Sequence, residues 1–230
     1  MRKGTRNSSS SSLDLAVAAA HPSGLAVQDY SPTYYSVRML NMELRMTELL
    51  EVCARGFADD CESALEQIQS HGGEHALESE LSAVDDWAGS SPLHWAAYAN
   101  SAECIRLLLE AGASPNVINS IDSSTPLHLA GRYGCAAAAE ELLKSSVASV
   151  DVYNARGSSP LHECTDGLAL VKPAPGSMAR TAEALLLARA NVDAYQLAVR
   201  NDAVDGKRPG RQDRQLTPLL MASEAGNVEL

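Results

Sequence analysis

The feature that most constrains the fold of this chain is a short motif that recurs at a fixed spacing. Three segments, Ser91 to His94, Thr125 to His128 and Ser159 to His162, each read Ser or Thr, then Pro-Leu-His. Their prolines are 34 residues apart, twice in succession. A fourth copy, Thr217 to Leu220, begins 58 residues after the third and has Leu in place of His. A repeat of this length predicts a solenoid, in which each unit packs only on its neighbours.

Each copy of the motif predicts the start of a helix. The Ser or Thr oxygen caps the first turn, and Pro fits the first helical position, where its missing N–H costs nothing. A second apolar segment follows at 104–109, 137–143 and 181–188, and Gly112 is placed to end the first of these. The sequence therefore predicts an all-α chain of helix pairs.

These residues resemble ankyrin repeats over about 87–230, since three copies of the motif stand in register and are followed by second helices. The resemblance implies an ankyrin-type solenoid of stacked helix-turn-helix repeats joined by hairpin-like loops. The chain departs from the length of the repeat in two places, which are expected to be insertions near 165–178 and near 196–214. The fourth repeat stops at Leu230, where its second helix would begin.

Three regions are predicted from this pattern. Residues 1–36 are interpreted as a disordered, Ser-rich tail, with a targeting presequence as the alternative. Residues 37–86 are interpreted as a degenerate capping repeat with an acidic loop, its helices at 47–56 and 59–69. Such a cap would cover the apolar side of the first full repeat. Residues 87–230 form the ankyrin-repeat domain.

Charge is unevenly distributed along the chain. The net charge is −11, which argues against nucleic-acid binding because phosphates require a basic surface. Between residues 56 and 105 there are ten Asp or Glu and no Lys or Arg, whereas 14 acidic and 12 basic residues follow from Arg106 onward. A solvated surface and a docking patch both explain the acidic half. No apolar stretch reaches the roughly 18 residues of a membrane helix.

Neither the cysteines nor the histidines form a motif for metal binding or catalysis. The five cysteines lack a CxxC pair, which favours buried free thiols in a reducing compartment: the cytoplasm, with the nucleus as alternative. His94, His128 and His162 would stand in a row about 10 Å apart, too far to share one metal ion. The resemblance implies that they hold each loop to its helix. His71 and His75 are interpreted as part of a polar loop, because Gly72 and Gly73 lie between them.

The resemblance also implies a binding surface, made of the loop tips before each Pro and the concave face of each first helix. Asp166, the equivalent helix position of the third repeat, falls where the insertion starts. Trp87 has an alternative role, packing against the acidic 70–86 segment. A basic loop at Lys207, Arg208, Arg211 and Arg214 is a further candidate for an acidic partner. The predicted protein-binding residues are Trp87, Ser90, Tyr98, Ile121, Asp122, Arg132, Tyr133, Arg156, Arg214 and Glu224.

The predicted function is that of a protein–protein interaction scaffold or adaptor, acting as a monomer without a cofactor. The alternative is a recognition or regulatory region of a larger protein, such as a ubiquitin-ligase substrate receptor, a kinase or a channel, truncated at residue 230. No Gly-rich phosphate loop, pair of catalytic carboxylates or GxSxG motif is present in the sequence. An enzyme is therefore not expected.

Overall fold

The computed structural model describes residues 47–165, 176–195 and 216–224, and for Glu224 the backbone alone. Within these ranges the chain is helical and has no strand, so the predicted all-α fold is confirmed. In chain order the helices are α1 (Glu48–Arg55), α2 (Ala58–Leu81), α3 (Pro92–Tyr98), α4 (Ala102–Glu110), α5 (Pro126–Tyr133), α6 (Ala136–Lys144), α7 (Pro160–Thr165), α8 (Ser177–Leu187) and α9 (Pro218–Glu224).

The helices stack in two layers. The short helices that follow the repeated motif form an inner layer, in which α3 packs between α1 and α5, and α7 packs between α5 and α9. The second helices form an outer layer, in which α4 contacts α2 and α6, and α6 contacts α8. Each element thus meets its own partner and the equivalent helices of adjacent units, which is the contact pattern of a solenoid.

The repeated motif begins the inner helices as the sequence predicts. Ser91 and Thr125 are the N-cap residues of α3 and α5, each followed by Pro in the first turn. In both helices the cap is reciprocal. The side chain of the cap residue accepts a hydrogen bond from the backbone of the histidine three residues on, and the side chain of that histidine accepts one from the backbone of the cap residue. Gly112 follows α4 with φ +101°, a left-handed conformation that glycine adopts without strain.

Small and aliphatic side chains fill the space between the layers. Ala96, Ala130 and Ala138 are completely buried, and so are Ile105 and Leu108. Burying a leucine completely contributes about 2 kcal/mol, before the loss of chain entropy is counted. Where α5 meets α7 the helices approach so closely that a Cβ atom on Gly131 would lie 2.5 Å from the carbonyl oxygen of Pro160. A core of small side chains therefore suits thin layers of short helices.

The outer helix of the capping repeat is longer than predicted. α2 was expected to span 59–69, and His71 and His75 to lie in a loop, but the helix extends to Leu81 with one break at Gly73. Leu77 and Leu81 are half-buried and pack on the core, and this packing outweighs the low helix propensity of Gly72 and Gly73. The expected acidic loop is therefore helical as far as Leu81.

Several predictions concern residues outside the described ranges. The N-terminal tail and most of the two insertions are among them, as is the basic segment from Lys207 to Arg214. The last residues of the first predicted insertion, Ser177 and Met178, are described and belong to α8, which therefore begins four residues before the predicted start at Thr181. Of the helices that the structure describes, none has the length and apolar character needed to cross a membrane.

Candidate protein-binding surface

The three motif histidines tie each inner helix to the next repeat. His94 Nδ1 accepts a hydrogen bond from the Ser91 backbone N–H at 3.2 Å, which leaves Nε2 as the donor to the Ser124 carbonyl oxygen at 2.9 Å. His128 and His162 repeat this arrangement, with Nε2 bonded to the carbonyl oxygens of Ser158 and Leu216. Burial lowers the pKa of His94 to about 4, in spite of the hydrogen bond to Ser124. The histidines are therefore buried, neutral connectors between repeats.

The loop before each inner helix is folded around one polar side chain. The Asp85 carboxylate accepts hydrogen bonds from the backbone N–H groups of Trp87, Ala88 and Ser90, and from the Trp95 indole. In the next repeat, Asn119 Oδ1 accepts from the backbone N–H groups of Asp122 and Ser124, and in the third Asn154 Oδ1 accepts from those of Arg156 and Ser158. The tip of each loop is thus fixed from inside, and the outward-facing side chains stand on a rigid backbone.

Adjacent tips are also bonded to each other. The Ser120 N–H donates to the Ala88 carbonyl oxygen at 2.8 Å, and the Ala155 N–H donates to that of Asp122 at 2.7 Å. Gly89 permits the first of these approaches, because it has φ +61° and a Cβ atom there would lie 2.0 Å from Ser120 Oγ. The three tips therefore form a continuous edge.

Two apolar side chains project from this edge. Trp87 and Ile121 occupy equivalent positions, each five residues before the proline of its motif, and they remain 55% and 57% exposed. Trp87 is thus largely in water, whereas Trp95, one turn into α3, is buried beneath the tip. Single exposed apolar residues are common, but two at equivalent positions of one rigid edge form a patch that a partner can cover.

Aromatic side chains continue the surface onto the inner helices. Tyr98 and Tyr133 meet edge to face, with ring centroids 4.5 Å apart, and Tyr98 meets Trp95 in the same way at 6.1 Å. Both tyrosines are half-buried. Burial raises the pKa of Tyr98 to about 12, so its hydroxyl keeps its proton at neutral pH. This aromatic pair joins two neighbouring repeats on the side of the inner helices.

Beside the tyrosines lies a buried network of charges. Arg132 donates from Nε to Glu163 Oε2 at 2.8 Å and from Nη2 to Asp122 Oδ2 at 2.6 Å. Arg156 also bonds to the Glu163 carboxylate, which accepts a further hydrogen bond from Asn154 Nδ2 at 2.7 Å. Two cations and two anions are present, so the charges balance within the network. It connects the second tip, α5, the third tip and α7.

Ion pairing keeps both carboxylates of this network charged. Burial alone would raise the pKa of Glu163, but the hydrogen bonds and positive charges of Arg132 and Arg156 outweigh it and lower that pKa. Burial alone would also raise the pKa of Asp122. A hydrogen bond with Ser124 and the positive charge of Arg132 outweigh burial, so this pKa is lowered too. Removing one member would unbalance the charges of the network, and an uncompensated buried charge destabilises a protein strongly.

A family model described as ankyrin repeats (3 copies) matches residues 49–155 and, in a second overlapping match, residues 93–173. Together these matches cover more than half of the chain and include both helices of the capping unit. This chain belongs to the ankyrin-repeat family. In this ankyrin chain, the histidine connectors and the hydrogen bonds between tips join successive repeats in addition to the packing of their helices.

Two curated proteins with which this ankyrin chain shares sequence are much longer than it is. It is 29% identical over 97 residues to the E3 ubiquitin-protein ligase KEG of Arabidopsis thaliana, covering 42% of this chain and 6% of that protein. It is 33% identical over 82 residues to alpha-latrotoxin-Lg1a of Latrodectus geometricus, covering 36% of this chain and 6% of the toxin. The matched stretch therefore spans about 6% of either relative.

The ankyrin structure assigns different environments to the residues predicted to bind a partner. Trp87, Ile121, Tyr98 and Tyr133 lie wholly or partly at the surface. Ser90 is instead buried, with its N–H bonded to Asp85. The polar atoms of Asp122, Arg132 and Arg156 are engaged inside the charge network; the Arg132 side chain is only 16% exposed. Arg214 and the side chain of Glu224 lie outside the described residues.

Glu163 was missed as an important residue, although the sequence carries a signal for it. In the aligned repeats of this ankyrin chain its position is occupied by Trp95 and Leu129, which are both buried. A charged residue in an apolar column must find a partner inside the protein. The partner could not be read from the sequence, because Arg132 precedes Glu163 by 31 positions.

All five cysteines are buried free thiols, as the sequence predicts. Burial raises the pKa of Cys135 to about 12, which keeps the sulfur protonated and unreactive at neutral pH. Within the ranges that the structure describes, no three His, Cys, Asp or Glu side chains converge as a metal site. The cysteines therefore serve as small core residues of the ankyrin stack.

Proposed function

We propose that this chain is a noncovalent protein-binding module that acts as a scaffold or adaptor. Its partner contacts the side of the stack formed by the loop tips and the inner helices. The observation that carries this proposal is the pair of equivalent tip side chains, Trp87 and Ile121, which are more than half exposed on a hydrogen-bonded edge. Large apolar side chains that are more than half exposed contribute little to the core, and such residues often contribute much of the energy of an interface.

The contact surface is preorganised for binding. Trp87 and Ile121 stand on loops braced by Asp85 and Asn119, and the tyrosine pair stands on helices fixed by the histidine connectors. Little conformational entropy remains to be lost when such side chains are covered, so more of the contact energy appears as affinity. Tyr and Trp are also the residue types that most often dominate interfaces.

The predicted contact residues divide into two groups under this proposal. Trp87, Ile121, Tyr98 and Tyr133 touch the partner. Asp122, Arg132, Arg156 and the buried Ser90 hold the tips and the inner helices in place, which is supported by their internal hydrogen bonds and ion pairs. Arg214 and Glu224 remain proposed contacts of the fourth repeat.

The test is affinity capture from native lysate with the full chain as bait, followed by quantitative binding of the captured partner. Trp87→Ala and Tyr133→Ala are each expected to weaken binding about tenfold or more. Val147→Ala is the matched control, because Val147 is 66% exposed but lies in the turn after α6. The melting temperature of each variant establishes that it is folded. Equal affinity for both variants and the control would contradict the proposal.

A second candidate is that the module is the recognition region of a larger protein, such as a ubiquitin-ligase substrate receptor, a kinase or a channel. The observation that favours it is the match to a small part of an E3 ubiquitin-protein ligase. The complete transcript from the source tissue distinguishes the two, since an open reading frame that continues in phase past Leu230 supports the larger protein and a stop codon contradicts it.

The proposed module is a monomer without catalytic activity or cofactor, in the cytoplasm, with the nucleus as alternative. Five buried thiols without a disulfide support a reducing compartment. Size-exclusion chromatography with light scattering tests the monomer, and imaging of the tagged chain tests the compartment. Turnover of hydrolase substrates by the purified chain would contradict the absence of catalysis.

A further inference from the structure

We propose that the first two loop tips bind a basic segment of the partner protein, with one apolar side chain of that segment seated between Trp87 and Ile121. The surface consists of these two residues and Asp86, and it is called the tip patch below. This inference rests on the proposed protein-binding function and specifies the chemistry that the partner presents.

The backbone brings the two apolar side chains of the tip patch together. The hydrogen bond from the Ser120 N–H to the Ala88 carbonyl oxygen joins the residue that precedes Ile121 to the residue that follows Trp87. The two exposed side chains therefore flank one inter-tip hydrogen bond. A side chain that covers both would be held by a rigid indole on one side and a branched aliphatic group on the other.

The charge on the Trp87 side of the tip patch is negative, whereas beside Ile121 the charge of Asp122 is balanced by Arg132 and Arg156. Asp86 is exposed beside Trp87, and α2, which carries Glu78 and Glu80 in its last turn, ends five residues before it. Since a chain spans at most about 3.5 Å per residue, the Cα atoms of Glu80 and Asp86 lie within about 21 Å. The stretch 56–105 contains no Lys or Arg that could neutralise this charge.

Within the described parts of the chain, most of these carboxylates have no ionic partner. Of the ten acidic residues between 56 and 105, Asp85 braces its loop and Glu103 pairs with Arg106. The other eight form no ion pair with any residue in the described parts of the chain. In contrast, carboxylates later in the chain are neutralised: Glu110 pairs with Arg106, and Glu163 pairs within the charge network. Unpaired negative charge beside an exposed apolar pair is complementary to Lys and Arg next to an apolar anchor.

The same charge disfavours an anionic membrane as the ligand of Trp87, since acidic lipids would be repelled. It also disfavours acidic peptides. The proposal therefore commits to a positively charged segment of a protein, and it assigns the acidic surface of α2 to attracting that segment over a distance.

The experiment is a selection of short random peptides on the immobilised full chain, followed by fluorescence anisotropy with the enriched peptides. The variants are Trp87→Ala, Ile121→Ala and Asp86→Asn. The matched controls are Val147→Ala, for an exposed apolar residue elsewhere, and Glu140→Gln, for an exposed carboxylate on α6. Melting temperatures establish that each variant is folded, and vesicles of phosphatidylcholine with phosphatidylserine are tested in parallel.

The expected result is enrichment of peptides that combine Lys or Arg with an apolar residue. Trp87→Ala should weaken their binding about tenfold or more, Ile121→Ala and Asp86→Asn several-fold, and added salt should reduce affinity. The two controls should bind as the wild type does. Enrichment of acidic or uncharged peptides, no enrichment, unchanged affinity of Trp87→Ala, or Trp87-dependent vesicle binding would each overturn the inference. Partner capture from lysate through Tyr133 would survive any of these outcomes, so the proposed function is tested separately.

Discussion

Arg132 and Glu163 form an ion pair between Nε and Oε2 at 2.8 Å, across the contact between two successive repeats. The Glu163 side chain is only 1% exposed, so its charge depends entirely on partners within the protein. The same guanidinium reaches Asp122 in the preceding loop tip. One side chain thus fixes the spacing of the inner helices and the position of a tip at the same time.

The charge network should be sensitive to the loss of one member. Glu163→Ala leaves the two cations of the network, Arg132 and Arg156, with one carboxylate, that of Asp122. We expect it to lower the free energy of unfolding by about 3 kcal/mol. Urea denaturation monitored by circular dichroism measures this. Glu140→Ala is the control, because Glu140 is an exposed carboxylate on α6. A loss as small as that of the control would show that the network contributes no stability.

Stability should fall as the pH is lowered from neutral. The pKa of His94 is about 4 in the folded protein and about 6.5 when unfolded, so the unfolded chain binds the proton first. The contribution of neutral His94 to the free energy of unfolding is therefore complete above about pH 6.5. It is lost as the pH falls towards 4, and the loss amounts to about 3 kcal/mol. The lowered pKa values of His128 and His162 act in the same direction. Urea midpoints across this pH range measure the slope, and a flat profile would contradict the prediction.

His128 should be required for stability and not for binding. His128→Ala removes the hydrogen bond from Nε2 to the Ser158 carbonyl oxygen and the reciprocal cap at Thr125. The expected loss is about 1–3 kcal/mol, the usual cost of a disrupted buried hydrogen bond. Partner affinity, measured below the melting temperature on the folded fraction, should be unchanged. Weaker binding with an unchanged melting temperature would mean that this histidine contacts the partner.

Two substitutions at equivalent tip positions should change stability in opposite directions. Gly89, Ser123 and Gly157 all stand three residues before the proline of their motif with positive φ, and Ser123 has φ +54°. Ser123→Gly removes the Cβ atom that strains this left-handed conformation. It should therefore raise the free energy of unfolding by up to about 1 kcal/mol.

Gly89→Ala is the counterpart of that change. It creates the same strain and directs a Cβ atom to within 2.0 Å of Ser120 Oγ, so it should destabilise the protein and loosen the bond between the first two tips. Differential scanning calorimetry of both variants provides the comparison. A shift of the melting temperature in the same direction for both would refute this account of the tips.

The sequence determined the repeat and most of its local structure. A spacing of 34 residues, with Ser or Thr before Pro and His three residues after the cap, was enough to predict the inner helices and their starts. These features are local, because a cap and a first-turn proline act within four residues of each other. The equivalent exposure of Trp87 and Ile121 follows from the same register. The partner, in contrast, is not encoded by this local pattern.

Tertiary structure decided which residues of the predicted surface also pair with groups within the protein. The sequence predicts Asp122, Arg132 and Arg156 as contact residues. Stacking of the repeats brings them into one network with Glu163, in which their charges are balanced. The sequence does not reveal this pairing, because Arg132 and Glu163 are 31 positions apart. The helix through Gly72 and Gly73 was likewise decided by the packing of Leu77 and Leu81 on the core. Local patterns fix where helices begin. Whether a charged side chain is paired inside the protein, or a glycine-containing segment is helical, depends on which distant groups pack against it once the stack has formed.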